Sequence, residues 1–260
     1  MFSEMFLNMN KMVIISSLLF LIVWGCSSSL EVANLTPEER IENAKKLYED
    51  EDYEEAVTEL EAIILQYPGS AIVDDAQYYL AMTRYQRKEY ILAAYEFSKL
   101  IKNMPASSFV PDAQFMLAES YYQLSPNFNL DQTYTKKAIT EYQAFIDYFP
   151  LNEKVHEAEQ KINELNTKLA EKEYSIAQIY EKMNYFTASL KYYDFVVETY
   201  HDTPFGPKAL YGKIMLLLER DREDDALKDM KRYLQLFPND ENSSEIEELK
   251  SSLEEKISLN

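Results

Sequence analysis

Apolar residues recur at helical spacing in two long segments, and each segment predicts a helix. Residues 153–183 contain neither glycine nor proline, so this apolar pattern predicts one long helix. Residues 241–257 place their apolar side chains on one face of a final acidic helix. The apolar positions are Val155, Ala158, Ile162, Leu165, Leu169 and Ala177 in the first segment, and Ile246, Leu249, Leu253 and Ile257 in the second.

Alanines, tyrosines and prolines recur at fixed offsets from residue 53 to residue 238. Three alanines follow a tyrosine by three residues, and Ala138 and Ala226 fill the same place without the tyrosine. A proline comes twelve residues after four of the five alanines, and Tyr200 replaces it after Ala188. A small residue lets two helices cross closely, and proline ends a helix. The recurring sets are Tyr53/Ala56, Tyr90/Ala93 and Tyr185/Ala188, with Pro68, Pro105, Pro150 and Pro238.

This pattern resembles the tetratricopeptide repeat (TPR), a helix–turn–helix unit of about 34 residues. We therefore predict an all-α fold, a superhelical array of about five TPR hairpins with a long connecting helix and a C-terminal capping helix. An N-terminal array would span residues 37–150 and a C-terminal array residues 151–260, with an exposed insertion at 125–135. The predicted hairpins are 37–67, 71–104, 110–149, 168–200 and 204–237.

The N-terminus has the features of an export signal. Residues 12–24 are uncharged and mostly apolar, follow Lys11, and are too few to span a membrane. The next residues, Val23-Trp24-Gly25-Cys26, resemble the bacterial lipobox, although Trp24 replaces its usual small residue. We expect a signal peptide at 1–25, starting at Met1 or Met9, then a lipidated Cys26 and a tether to residue 36. That covalent lipid is the only cofactor we expect.

Charge narrows the choice of partners. The formal net charge is −19, and removal of residues 1–25 leaves it unchanged because that segment holds one lysine and one acidic residue. Such a chain would be repelled by a phosphate backbone, so nucleic acid is not an expected partner. Anionic lipid would repel it too, so membrane attachment should come from the lipid on Cys26. A single cysteine excludes a disulfide within the chain.

Catalytic and metal-binding patterns are missing from the sequence. His156 lies among charged residues and His201 in a predicted loop, and neither has the neighbours of a metal site. Neither a nucleophile elbow nor a phosphate-binding loop occurs. We therefore predict that the protein is not an enzyme and holds no metal.

Three stretches, residues 53–68, 169–180 and 201–211, resemble the BamD family, the lipoprotein subunit of the outer-membrane β-barrel assembly machine. The resemblance implies a scaffold on the periplasmic face of the outer membrane. Its partners would be the barrel subunit, the other subunits of the machine and unfolded outer-membrane proteins. Two alternatives remain open: another periplasmic TPR lipoprotein, acting with the Tol–Pal system, and an exported hydrolase.

In a TPR array the first helix of each repeat lines a concave groove. Counting from the aligned alanines predicts one row of groove residues at Tyr48, Tyr85 and Tyr122. A second row falls at Ile41, Tyr78 and Phe115. A β-strand of an outer-membrane protein alternates apolar and polar side chains and could insert its aromatics between these rows. The alternative is that these side chains only pack between helices.

We expect Cys26→Ser to release the protein from membranes, because a serine cannot carry the acyl chains that anchor it. Fractionation of cells into soluble and membrane pools checks this, with Ser27→Ala as the matched control. Intact-mass measurement of the native protein should show an acylated Cys26 as its first residue. An unmodified Cys26 would contradict the predicted anchor.

Overall fold

The computed structural model describes residues 35–258, and in this range eleven α-helices occur without a β-strand. The all-α prediction is therefore confirmed. The predicted signal peptide, Cys26 and nearly all of the tether lie outside the described residues. The contacts between helices divide the chain into two compact units, with the division between Glu89 and Tyr90.

The first unit contains three mutually packed helices, α1 (Pro37–Glu49), α2 (Tyr53–Gln66) and α3 (Val73–Gln86). Helix α1 begins with a capping box, in which the side chains of Thr36 and Glu39 accept hydrogen bonds from each other's backbone N–H groups. The core is formed by buried alanines and branched aliphatic residues at helical spacing, which allow the three helices to approach closely. Its buried members are Ile41, Ala44, Ala56, Val57, Leu60, Ile63, Ile72, Ala76 and Leu80.

The second unit continues as a series of helices in which each packs on the next. The helices are α4 (Tyr90–Asn103), α5 (Val110–Gln123), α6 (Thr133–Tyr148), α7 (Val155–Lys182), α8 (Phe186–Thr199), α9 (Phe205–Glu219), α10 (Glu223–Leu236) and α11 (Ser243–Ser258). One buried cluster of this unit is formed by α5, α6 and α7, and another by α7 to α11, while α4 has buried residues of its own.

Helix α7 has 28 residues and belongs to both clusters. Ala158 and Leu165 pack with α5 and α6, whereas Ala177 packs with α8 and α9. The predicted boundary at residue 150 therefore falls inside a continuous core, and the compact units divide at Glu89 instead. Pro150 follows the end of α6 and so suggested a boundary. The end of a helix does not end a core, however, and the buried cluster continues from α6 into α7.

Four hairpins turn through the same backbone device, a non-glycine residue with positive φ two positions before the second helix. These residues are Glu51, Lys88, Asn184 and Asp221. The N–H of the following residue bonds a carbonyl five positions earlier, as in the Schellman motif. Left-handed backbone is strained for most non-glycine residues. Glycine is therefore the expected residue at such a turn, and because none of these four turns has one, the glycine positions in the sequence did not mark where the hairpins turn.

This turn corrects the sequence alignment of the fourth repeat by one residue. Because Asn184 occupies the turn, α8 begins at Phe186, and Ser189 takes the place of the buried alanine. Ser189 is fully buried, whereas Ala188 is half-buried. The predicted alanine places at Ala56, Ala93, Ala138 and Ala226 are confirmed, since all four are fully buried.

The same correction moves the proline place of this repeat from Tyr200 to His201. A Cβ added to Gly206 in α9 would lie 2.5 Å from the His201 carbonyl oxygen. Only glycine permits α9 to start so close to this turn.

The predicted insertion forms the connection between α5 and α6 and is held in place by its own side chains. The Nε2 atom of Gln132, which is buried, donates to the carbonyl oxygens of Asn127, Phe128 and Leu130. Lys172 of α7 donates to the Leu130 carbonyl at 2.5 Å. The Leu130 side chain is exposed, so the loop is held through its backbone carbonyls while it presents an apolar side chain to solvent.

Ser189→Ala should stabilise the protein, because the Ser189 hydroxyl is buried without a hydrogen-bond partner among the described residues. We expect a gain of about 1 kcal/mol in the free energy of unfolding beyond that of Ser98→Ala. Ser98 lies exposed in α4, so its replacement reports helix propensity alone. Chemical denaturation followed by circular dichroism measures both. Equal gains would show that the Ser189 hydroxyl is satisfied.

Candidate peptide-binding site

Two predicted groove tyrosines of the first unit, Tyr48 and Tyr78, belong to a chain of aromatic rings on α1, α2 and α3. The Tyr48 ring packs edge-on against Tyr79, with 5.5 Å between centroids, and lies 6.1 Å from Tyr53. Tyr78 packs edge-on against Tyr79 at 5.7 Å. The Gln86 amide nitrogen lies 3.4 Å from the Tyr48 hydroxyl. Tyr48, Tyr78 and Tyr85 are all half-buried, so each ring packs while part of its surface meets solvent.

Two members of the predicted second row are core residues, and their assignment to the groove is wrong. Ile41 is 4% exposed within the core of the first unit. Phe115 is also 4% exposed, and its ring lies 5.3 Å from Phe145 and 5.7 Å from Tyr142. Isoleucine and phenylalanine have no polar group to keep near water, so complete burial is their most stable placement. Tyr78 has a hydroxyl and stays at the surface.

In the second unit, Tyr122 lies in a polar network that joins α5 to α7. Its hydroxyl donates to Glu164 Oε1 at 2.7 Å, and Lys161 Nζ lies 3.8 Å from the centre of its ring. Lys161 Nζ also lies 3.5 Å from Oε1 of the buried Glu119, which accepts a hydrogen bond from the Tyr142 hydroxyl. One lysine therefore balances a buried carboxylate and covers an aromatic face.

The structure thus places the predicted residues in two separate settings. In the first unit Tyr48 and Tyr78 both pack on Tyr79, and Tyr85 lies on the same helix as Tyr78, whereas Tyr122 lies in the network of the second unit. What both settings offer chemically is tyrosine rings and hydroxyls beside amide groups, since Gln86 and Gln123 are exposed. Such groups can bind a polypeptide through ring contacts and hydrogen bonds.

The model of the YfiO family, described as an outer membrane lipoprotein, matches residues 34–231. The chain belongs to this family. The match begins just before α1 and ends within α10, so it includes both groups of tyrosines. This membership confirms the resemblance to BamD, whose family this model represents.

Solved structures similar to this YfiO family member are TPR proteins. The TPR2AB domain of yeast Sti1, in its complex with pHSP90, gives a TM-score of 0.43 at 14% identity, with 85% of this chain and 84% of that chain covered. A thermophilic TPR protein of Thermus thermophilus gives 0.36 at 16% identity, with 84% and 98% covered. A TPR protein of Parabacteroides merdae gives 0.37 at 15% identity, with 84% and 72% covered. No curated protein matches the sequence significantly.

Residues 35–258 contain neither a metal-binding cluster nor a membrane-spanning helix. Within this range, no group of three or more histidine, cysteine, aspartate or glutamate side chains is placed to hold a metal ion. None of the eleven helices in the same range is long and apolar enough to cross a membrane.

The sequence analysis missed the α7 partners of Tyr122. Lys161 and Glu164 are three residues apart and so share one face of α7. This spacing is a weak signal, because lysine and glutamate at such spacing are common on solvated helices. Only the packing of α7 on α5 shows that these charges serve Tyr122 and Glu119.

Stability should fall in alkaline solution, and Tyr122 should contribute to that fall. Burial raises the pKa of the Tyr122 hydroxyl, and the bond to Glu164 and that carboxylate's charge raise this pKa further. An unfolded tyrosine loses its proton near pH 10, roughly, while the folded one keeps it. The unfolded state therefore binds fewer protons above that pH, and the free energy of unfolding decreases as pH rises.

In the Tyr122→Phe variant this loss should be smaller, by up to about 1.4 kcal/mol for each pH unit above about 10. Denaturation midpoints measured across that range test the expectation. Tyr95→Phe removes an exposed hydroxyl from α4 and should follow the wild-type curve. If the stability of Tyr122→Phe fell with pH as steeply as that of the wild type, the Tyr122 hydroxyl would bind its proton equally well in the folded and unfolded states.

Proposed function

We propose that this protein is a non-enzymatic scaffold lipoprotein of the outer-membrane β-barrel assembly complex. It receives unfolded outer-membrane proteins and docks on the barrel subunit, which inserts them. The observation that carries the proposal is the family match over residues 34–231, which covers most of the helical array. The succession of packed helix hairpins agrees with it, since such arrays expose long surfaces for binding other proteins.

The proposed location is the periplasmic face of the outer membrane, with attachment through acyl chains on Cys26. The family is one of outer membrane lipoproteins, which supports the location. A tether from Cys26 to residue 36 would hold the first helix close to the lipid surface. Because the chain carries a net charge of −19, the lipid rather than charge would supply the membrane affinity.

The proposed client surface is the half-buried aromatic face of the first unit. Tyr48, Tyr78 and Tyr85 present rings and hydroxyls at that surface, and the Gln86 amide lies beside Tyr48. An extended strand could rest its aromatic side chains on these rings while its backbone groups bond hydroxyls and amides. Tyr122 is the corresponding candidate in the second unit, whereas the buried Ile41 and Phe115 are excluded as contacts.

Depletion of the protein in its own bacterium tests the function. We expect β-barrel proteins of the outer membrane to decrease, while a soluble periplasmic protein stays at its normal level. A plasmid copy of the wild-type gene should restore the barrels. Unchanged barrel levels in fully depleted cells would refute the proposal.

The client surface is tested in the same cells with variants that accumulate to the wild-type level. Tyr85→Ala should restore barrel proteins only in part, because removing an aromatic anchor costs about 2 kcal/mol of binding, roughly thirtyfold in affinity. Tyr95→Ala removes an exposed tyrosine of α4 and should restore them fully. Full restoration by Tyr85→Ala would return Tyr85 to a packing role and leave the assembly function standing.

A further inference from the structure

Two adjoining hollows lie on the second unit where α7 ends and α8 begins. The larger has a volume of about 620 Å³ and is lined by Tyr180, Tyr185, Phe186 and Lys191, among others. The smaller has a volume of about 240 Å³ and is lined by Leu190, Leu216, Arg220 and Arg222, among others. Phe186 and Thr187 line both, so the hollows form one continuous surface, which we call the α7–α8 face.

The α7–α8 face exposes aromatic surface just before α8. Tyr185, which lines the larger hollow, is 57% exposed, and Ile179 and Met183, each 54% exposed, lie close to it in sequence near the end of α7. The Tyr180 ring stacks on Tyr192 with 5.4 Å between centroids and meets the edge of Tyr185 at 6.3 Å. The walls are thus held by ring packing, while their outer surfaces stay in solvent. Clustered exposure of this kind marks a binding surface more often than it marks a core.

The charged side chains that line the two hollows are cationic, although the chain as a whole is strongly acidic. Lys191 is exposed and forms no ion pair with any residue of 35–258. The Arg220 guanidinium lies over the Phe186 ring at 3.2 Å from its centre, and Glu219 lies 3.5 Å from Arg220. Arg222 is paired with Asp225 at 2.5 Å. Of the three cations Lys191, Arg220 and Arg222, Lys191 is therefore the one without a carboxylate partner among residues 35–258.

We propose that the α7–α8 face binds an extended acidic peptide segment of a partner protein, with an aromatic or large aliphatic side chain next to a carboxylate. The apolar side chain enters the larger hollow against Tyr180, Tyr185 and Phe186. The carboxylate pairs with Lys191 at the rim. Apolar burial supplies most of the affinity, and the ion pair selects acidic segments over basic ones. This proposal stands independently of the assembly role, because it rests only on residues of the second unit.

The test uses the full mature chain and a fluorescent peptide, Gly-Ser-Phe-Asp-Phe-Asp-Ser-Gly, titrated by anisotropy. Two companion peptides replace both Asp by Asn or both Phe by Ala. We expect the Phe-Asp peptide to bind more tightly than either companion. Tyr185→Ala and Lys191→Glu should each weaken it about fivefold or more, since an exposed ion pair contributes up to about 1 kcal/mol and charge reversal adds repulsion. The Asn peptide should not respond to Lys191→Glu.

Matched controls separate the site from general effects. Lys102→Glu makes the same charge change on α4, and Tyr95→Ala removes an equally exposed tyrosine from the same helix, so both should bind like wild type. Lys191→Gln, which removes the charge without reversal, should give an intermediate loss. Equal binding of the Asp and Asn peptides, equal losses in Lys102→Glu, or the absence of binding would each overturn the proposal. So would Lys191-dependent binding of phosphatidylglycerol vesicles alone, which would assign the face to lipid.

Discussion

Close contact between paired helices at one small buried side chain sets the geometry of these repeats. Ala56, Ala138 and Ala226 are completely buried at this place, and Ser189 fills it in the fourth repeat. A larger residue would push the two helices apart and shift every residue that packs beyond them. The surface tyrosines keep their positions because these crossings fix the helices that carry them. The buried Ser189 hydroxyl shows that a small volume matters more at this place than an apolar side chain.

Helices and their order could be predicted because they depend on local signals. Apolar spacing gave the long helix to within two residues at its start and one at its end, and the alanine–proline offsets gave four of the five repeats in register. The fourth repeat failed because Tyr185 and Ala188 match the pattern by chance, whereas a left-handed Asn184 shifts the hairpin by one residue. Glycine usually marks such a turn, and its absence removed the signal.

The candidate site was harder to predict, because exposure depends on contacts between distant residues. Tyr78 and Phe115 occupy matching places in the sequence, yet Tyr78 meets solvent and Phe115 is enclosed by Tyr142 and Phe145 from α6. A similar dependence holds for charge. Lys213 of α9 lies between Asp194 of α8 at 2.6 Å and Asp229 of α10 at 2.8 Å, which stabilises three helices at one buried point. None of these three residues stands out along the chain.

The length of α7 has a mechanical consequence. With a rise of 1.5 Å per residue, its 28 residues span about 42 Å, and Lys161 and Tyr180, which are 19 positions apart, are separated by about 28 Å along the helix. The polar network of Tyr122 and the α7–α8 face are therefore attached to a single rod. A ligand at either end could influence the other end by tilting, sliding or bending that rod against α6 and α8. Coupling between the Tyr122 network and the α7–α8 face would then depend on how tightly the fully buried Leu165 and Ala177 pack α7 against its neighbouring helices.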